Sequence, residues 1–273
     1  MFEWGNELPA WRFALYCSGF LVLLTWLGII FVRPIFRLWI GSQPGANDLV
    51  GHATSAFSLF YGLLLGLLSV ATYQNLERIQ GVVNNEAATL PLIYRNVAYY
   101  PEPIRSEVQY LLRDYTLYVL NEDWPAHRRG EIPQGGSHRL QTIRGELLAF
   151  EPTTKTDEIL HESTLNDFDV LLEQRQQRLA GVRTAIPGAM WYAVAIGAVV
   201  NIVLLWMLNM RLRIHFLLSG LVAFFLGVMI FLIASMDNPM RGEVSASPEP
   251  FRLAYDLVMK WDEEPGIIVQ QGL

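Results

Sequence analysis

Seven small or hydroxyl-bearing residues hold the sequence feature with the clearest chemistry. Gly51, Ser55, Ser58, Gly62, Gly66, Ser69 and Tyr73 follow one another at steps of three or four. At 3.6 residues per turn, these steps put them all on one side of a helix. Such a face permits two kinds of chemistry. Gly62 and Gly66 form a GxxxG pair, and small faces of this kind let membrane helices approach closely while Ser hydroxyls bond across them. Alternatively, several copies surround an axis. The same hydroxyls then replace part of an ion's hydration, and Phe57, Phe60 or Leu65 provides a hydrophobic constriction.

Other candidate groups are scattered. Asn201 and His215 lie in or beside apolar stretches, where a polar group faces protein or water. The simplest role for Asn201 is one interhelical hydrogen bond, and the neighbouring Arg211 and Arg213 suggest an interfacial place for His215. His161-Glu162 lacks the second His of a zinc helix. Cys17 sits in an apolar run without a basic neighbour, the setting of an inert thiol. Asp262-Glu263-Glu264 lacks the spaced loop of a calcium site. No Walker loop, GxGxxG turn or GxSxG elbow occurs. No nucleophile, base and orienting group can be assembled, so an enzyme is not expected, and neither a metal nor a cofactor is implied. No apolar stretch carries a mid-depth carboxylate, which argues against a proton-coupled carrier.

These residues are positioned by an apolar chain. Of 273 residues, 52% are hydrophobic and 17% charged, below the roughly 25% charge of soluble domains. Four stretches of about 20 residues are apolar enough to span a bilayer, near 10–32, 51–73, 186–209 and 214–234. Trp11, Trp26, Trp191 and Trp206 lie toward their ends, as interfacial rings do. The start Met1-Phe2-Glu3 has no basic region and its apolar run is long, so the first stretch reads as a retained anchor. The net charge of −6, without basic stretches interleaved with aromatics, argues against nucleic-acid binding.

Residues 74–185 form a polar insert with helical patterning. Ile104, Val108, Leu111, Leu112, Tyr115 and Val119 make one apolar stripe. Leu140, Ile143, Leu147 and Phe150 make a second, and a third runs from Ile159 to Val182. Pro103 is expected to start a helix and Trp124-Pro125 to end it. Pro91 is expected to kink or break the helix that continues the second span, and 130–136 reads as a loop. The third stripe runs nearly into Pro187, so the second and third spans are expected to continue as long helices beyond the bilayer. Pro239, Pro248 and Pro250 in the tail (235–273) predict an extended path. Arg105 invites an acidic partner. The predicted class is all-α, four-span, with a long helical soluble insert between spans two and three.

The chain resembles the bestrophin-like family of uncharacterised membrane proteins. The resemblance rests on Phe57-Ser58, Tyr61 to Gly66, Tyr73-Gln74-Asn75, Glu86-Ala87 and Tyr94-Arg95. It continues with Tyr100-Pro101-Glu102-Pro103, Trp124-Pro125, Arg178-Leu179, Pro187 with Trp191-Tyr192, and Met236-Asp237 through Pro250-Phe251. Bestrophins are pentameric ion channels whose second span lines the pore. The resemblance implies a homo-oligomer in the cell membrane, with the insert and both termini cytoplasmic. It puts Ser55, Ser58, Gly62, Gly66, Ser69 and Tyr73 on the pore, with Phe57, Phe60 and Leu65 as gate candidates. An acidic calcium clasp has no clear match after Asp237, and Phe57, Phe60 and Tyr61 match the aromatic neck only loosely. The other reading, from a different class, is a non-conducting scaffold or sensor whose insert binds a cytosolic partner. In that case the small face only packs the bundle.

Overall fold

The computed structural model describes residues 9–40 and 45–260. The Asp262-Glu263-Glu264 cluster lies outside them. All regular structure among the described residues is helical, in two compact units. Four helices are long and apolar enough to cross a membrane, so this is an all-α, four-span membrane protein.

The first unit holds α1 (Ala10–Phe31), α2 (Arg33–Ile40), the start of α3 (Ala46–Val97), α8 (Gly188–Met207) and α9 (Leu212–Met236). Its core gathers Phe13, Leu21, Tyr61, Leu65, Trp191, Ile202 and Ala223. Small residues set the helix spacing here. A Cβ on Gly227 of α9 would fall 2.4 Å from the Ser18 Cα of α1, and one on Gly197 of α8 would fall 2.3 Å from the Tyr61 ring. Bilayer helices gain little from apolar burial against one another, so such close backbone contact holds them together. Tyr61 also donates its hydroxyl to the Val194 carbonyl at 2.8 Å. Asp237, just past α9, accepts from the Ile186 backbone N–H at 2.6 Å and from Trp191 Nε1 at 3.3 Å, tying the start of α8 to the end of α9.

The second unit holds the remainder of α3 with α4 (Ile104–Tyr118), α5 (Trp124–Arg129), α6 (Gly135–Ala149), α7 (Lys155–Arg183) and α10 (Glu249–Ala254). The stripes of the insert meet in one core of Ile79, Leu90, Val108, Leu112, Ile143, Phe168 and Phe251. A reciprocal box opens α7: the Asp157 N–H donates to Thr154 Oγ1 and the Thr154 N–H to Asp157 Oδ2, each at 3.1 Å. Arg105 finds its acid one turn back, with Nε 2.9 Å from Glu102 Oε1.

The prolines depart from expectation. Pro91 lies inside α3, which stays helical for 52 residues. Pro91 therefore does not break the helix: Leu90, Ile93 and Tyr94 beside it are buried in the core, and this packing outweighs one lost N–H bond. Trp124-Pro125 begins α5 and does not end α4; a single π turn, Val119–Asp123, joins the two. α3 continues unbroken beyond its apolar part, and α7 and α8, interrupted only at residues 184–187, run as one long helical stretch, Lys155–Met207, as expected. Pro248 and Pro250 open the short helix α10 where an extended path was predicted, since proline is preset for a first helical turn. The loop between α5 and α6 is shorter than the sequence suggested, because helix resumes at Gly135.

Candidate functional site

The apolar part of α3 has one buried stripe, Tyr61, Leu65, Leu68 and Thr72. The small face lies about 100° around the helix from it, by position. There the structure leaves open space: a Cβ on Gly51, Gly62 or Gly66 would meet no atom within 4 Å. Ser55 and Tyr73 are exposed, and Ser69 is half-buried. Ser58 sits at the margin, where Asn201 Nδ2 of α8 donates to its Oγ at 2.9 Å. That is the single interhelical bond expected of Asn201. His215 is buried within the unit, its Nε2 3.0 Å from the Leu205 carbonyl.

The three gate candidates are not brought together with this face. Leu65 is 1% exposed, packed in the protomer's own core. Phe57 stacks on Tyr61, with ring centroids 6.1 Å apart. Phe60 is exposed, but it stands two residues from Gly62 and therefore about 200° around the helix. Tyr73 is the bulkiest side chain on the small face.

Sequence reasoning missed a buried ionic network in the second unit. Glu86 of α3 accepts from Arg178 Nε at 2.6 Å, from Arg178 Nη2 at 3.0 Å and from the Tyr115 hydroxyl at 2.7 Å. Asp123 accepts from Arg175 Nη1 at 3.1 Å and lies 3.8 Å from Arg178 Nη2. Glu86, Tyr115, Asp123, His127 and Arg178 are all fully buried. The two carboxylates balance the two guanidiniums, so the site is neutral, which a dry interior requires. Burial alone would lower the Arg178 guanidinium. The charge of Glu86 and its hydrogen bonds outweigh that and hold it above its ordinary value. Burial, then the charge of Glu86, raises Tyr115. His127 Nδ1 stands 3.0 Å from Arg178 Nη1. A guanidinium only donates, so Nδ1 accepts and the ring proton sits on Nε2. Burial and the neighbouring charges of Arg178 and Arg175 push His127 down to about 3.

Local structure builds this network. Asp123 is eight residues beyond Tyr115, about 80° off its face in a regular helix. The π turn at 119–123 takes up an extra residue and returns Asp123 to the buried side. Pro125, which has no N–H, marks the place where the regular ladder fails. Gly136 makes room for Arg175, whose Nη1 would stand 2.8 Å from a Cβ there. Arg178 also lies over the Phe251 ring, 5.6 Å from its centroid. The only sequence signals were Glu, Arg and Tyr within otherwise apolar stripes, and Trp124-Pro125.

Comparison with known proteins agrees with this architecture. A model of the Bestrophin-like domain matches residues 19–251. Among solved structures, the fold is similar to that of a membrane protein at 13% identity and TM-score 0.64, covering 88% of this chain and 98% of the other. It is similar to a variant of a bacterial bestrophin homologue from Klebsiella pneumoniae at 14% identity and TM-score 0.61, covering 89% and 96%. A second structure of that homologue gives 13% and 0.60, covering 88% and 95%. No curated protein compared with the chain matches it. The family match spans most of the residues that build both cores, and the chain belongs to the Bestrophin-like family.

Proposed function

We propose that this protein is the protomer of a homo-oligomeric ion channel in the cell membrane, with α3 lining the path. The carrying observation is the lack of cover on α3. Of its most apolar window, 17% is buried within the protomer, against 33% to 39% for the other three spans. Glycines with open space beside them and hydroxyls at the same depth gain nothing from lipid. Facing an axis, they offer hydroxyl and backbone oxygens to a partly dehydrated ion. The likeness to bestrophin structures supports the same reading, and by resemblance the assembly is a pentamer with the insert and both termini cytoplasmic. Ser55, Gly62, Gly66, Ser69 and Tyr73 line the path, Ser58 borders it, and Tyr73 forms its narrowest ring.

Planar-bilayer recording of the purified oligomer tests this. Gly62→Trp is expected to abolish or sharply reduce unitary current while the oligomer elutes unchanged, because a side chain at that position meets nothing within the protomer. Leu63→Trp, on the adjoining exposed face, is expected to leave conduction near wild type. Wild-type current unaffected by Gly62→Trp, or blocked only by Leu63→Trp, refutes the assignment. Intact oligomers that stay silent across ions, voltages and pH values favour the scaffold reading, in which the insert binds a cytosolic partner.

A further inference from the structure

The stretches from the end of α1 into the first turn of α3, and from the end of α8 into the first turn of α9, contain four arginines, Arg33, Arg37, Arg211 and Arg213, and one acid, Asp48. Arg33 is 8% exposed. Its Nη2 donates to the Met210 carbonyl at 2.5 Å, but its Nε is buried with no hydrogen-bond partner. Among the described residues no carboxylate lies within ion-pair distance of Arg33 or Arg37. Instead Arg37 acts on Arg33 as a like charge. Two cations, one of them nearly buried, share a place without an anion. Elsewhere in this chain the buried arginines have carboxylate partners.

Two cavities open on this pair. One, of about 100 Å³, is lined by Arg33 and Arg37 with Asn47 and Asn209. The other, of about 370 Å³, is lined by the same arginines with Ile29, Ile30 and Phe216. A polar niche and an apolar groove therefore meet at two guanidiniums. The depth is that of a lipid headgroup: α1 is a 22-residue apolar helix that ends two positions before Arg33, about the length that crosses the hydrocarbon.

We propose that Arg33 and Arg37 bind the phosphate of an anionic phospholipid, whose acyl chain lies against Ile29, Ile30 and Phe216. A guanidinium fork matches phosphate oxygens, and a bound phosphate supplies the acceptor that Arg33 Nε lacks. A zwitterionic lipid fits less well, since its ammonium would sit among the arginines. The site is independent of the channel reading.

Native mass spectrometry and thermal melts of the delipidated full chain in detergent test the proposal. The probes are phosphatidylglycerol, phosphatidylcholine and inorganic phosphate. Phosphatidylglycerol is expected to bind several-fold more tightly than phosphatidylcholine and to raise the melting temperature. Arg37→Gln, at an exposed position, is expected to weaken phosphatidylglycerol about fivefold. Arg33→Lys, which keeps the charge and loses the fork, is expected to weaken it as well. Equal binding of the two lipids overturns the proposal, as does phosphatidylglycerol binding unchanged by Arg37→Gln. Inorganic phosphate that stabilises as strongly as phosphatidylglycerol overturns the lipid assignment in favour of a free anion.

Discussion

Glu86→Gln keeps the shape of the buried site and removes its charge. The carboxylate takes three hydrogen bonds, at 2.6 and 3.0 Å from Arg178 and 2.7 Å from Tyr115. Gln replaces one accepting oxygen with an NH2 group, which faces a guanidinium N–H whichever way the amide turns. At least one charged hydrogen bond is lost. Arg178 is left with Asp123 at 3.8 Å, a carboxylate already engaged by Arg175. Removing one partner from a buried pair costs about 3–5 kcal/mol. At about 2–4 °C per kcal/mol for a chain of this size, the melting temperature should fall on the order of 10 °C. Tryptophan fluorescence reads the transition, because Trp124 is buried in the same core. Tyr115→Phe removes one donor and leaves both Arg178 bonds, so its cost is about 1 kcal/mol and roughly 3 °C. Replacing both members, Glu86→Leu with Arg178→Met, should recover most of the loss, because no charge is left buried alone. A Glu86→Gln protein that melts with the wild type, or a double variant worse than Glu86→Gln, refutes the reasoning.

Further outcomes follow from the same geometry. His127 is held near 3 in the fold and titrates near 6.5 in the unfolded chain. Between those values the unfolded state binds more protons, so stability is complete above pH 6.5 and falls on acidification by up to about 1.4 kcal/mol per pH unit toward pH 3. Melts from pH 7 to 4.5 check the slope, and His127→Gln, which can still accept from Arg178, should flatten it. Gly227→Val puts a branched side chain where a Cβ alone would stand 2.4 Å from Ser18 Cα. A loss of about 1–3 kcal/mol or more is expected, seen as a lower melting temperature, whereas Gly66→Ala, with open space, should leave the monomer's stability nearly unchanged. Asp237→Asn leaves one of its two acceptor oxygens replaced by a donor, opposite either the Ile186 N–H or Trp191 Nε1. A loss of about 1–3 kcal/mol is expected, with a change in Trp191 emission.

The architecture was largely legible because bilayer helices announce themselves by length and composition, and the insert's stripes by period. Ile104, Val108, Leu112 and Tyr115 face the core as their spacing requires. Helix ends at prolines were less legible. A proline states only that one N–H is missing, and whether the chain stops, kinks or continues depends on what its neighbours bury. The helix continues through Pro91 because Leu90, Ile93 and Tyr94 are packed, while before Pro125 a π turn brings Asp123 inward. The ionic network was illegible for a similar reason. Glu86 and Arg178 are 92 residues apart, and no local pattern distinguishes a charge that will find a buried partner from one that stays in water.

The glycines provide the sharpest contrast. From spacing alone, Gly62 and Gly66 suit either close packing or a path. Inside this chain the close approaches are at Gly197 and Gly227, where a Cβ would overlap Tyr61 and Ser18, whereas a Cβ on Gly62 or Gly66 would meet no atom within 4 Å. A GxxxG step records that backbone can be approached, not what approaches it. Within one chain nothing does. The residues that hold α3 to the protomer are instead the large ones of its other stripe, Tyr61, Leu65 and Leu68. Packing inside the chain therefore accounts for Ser58, which accepts from Asn201, but not for Gly62 and Gly66. On the reading proposed above, the two glycines face an axis or a second copy. Gly62→Trp with Leu63→Trp separates these outcomes: loss of current from an intact oligomer indicates an axis, and loss of the oligomer indicates a packed neighbour.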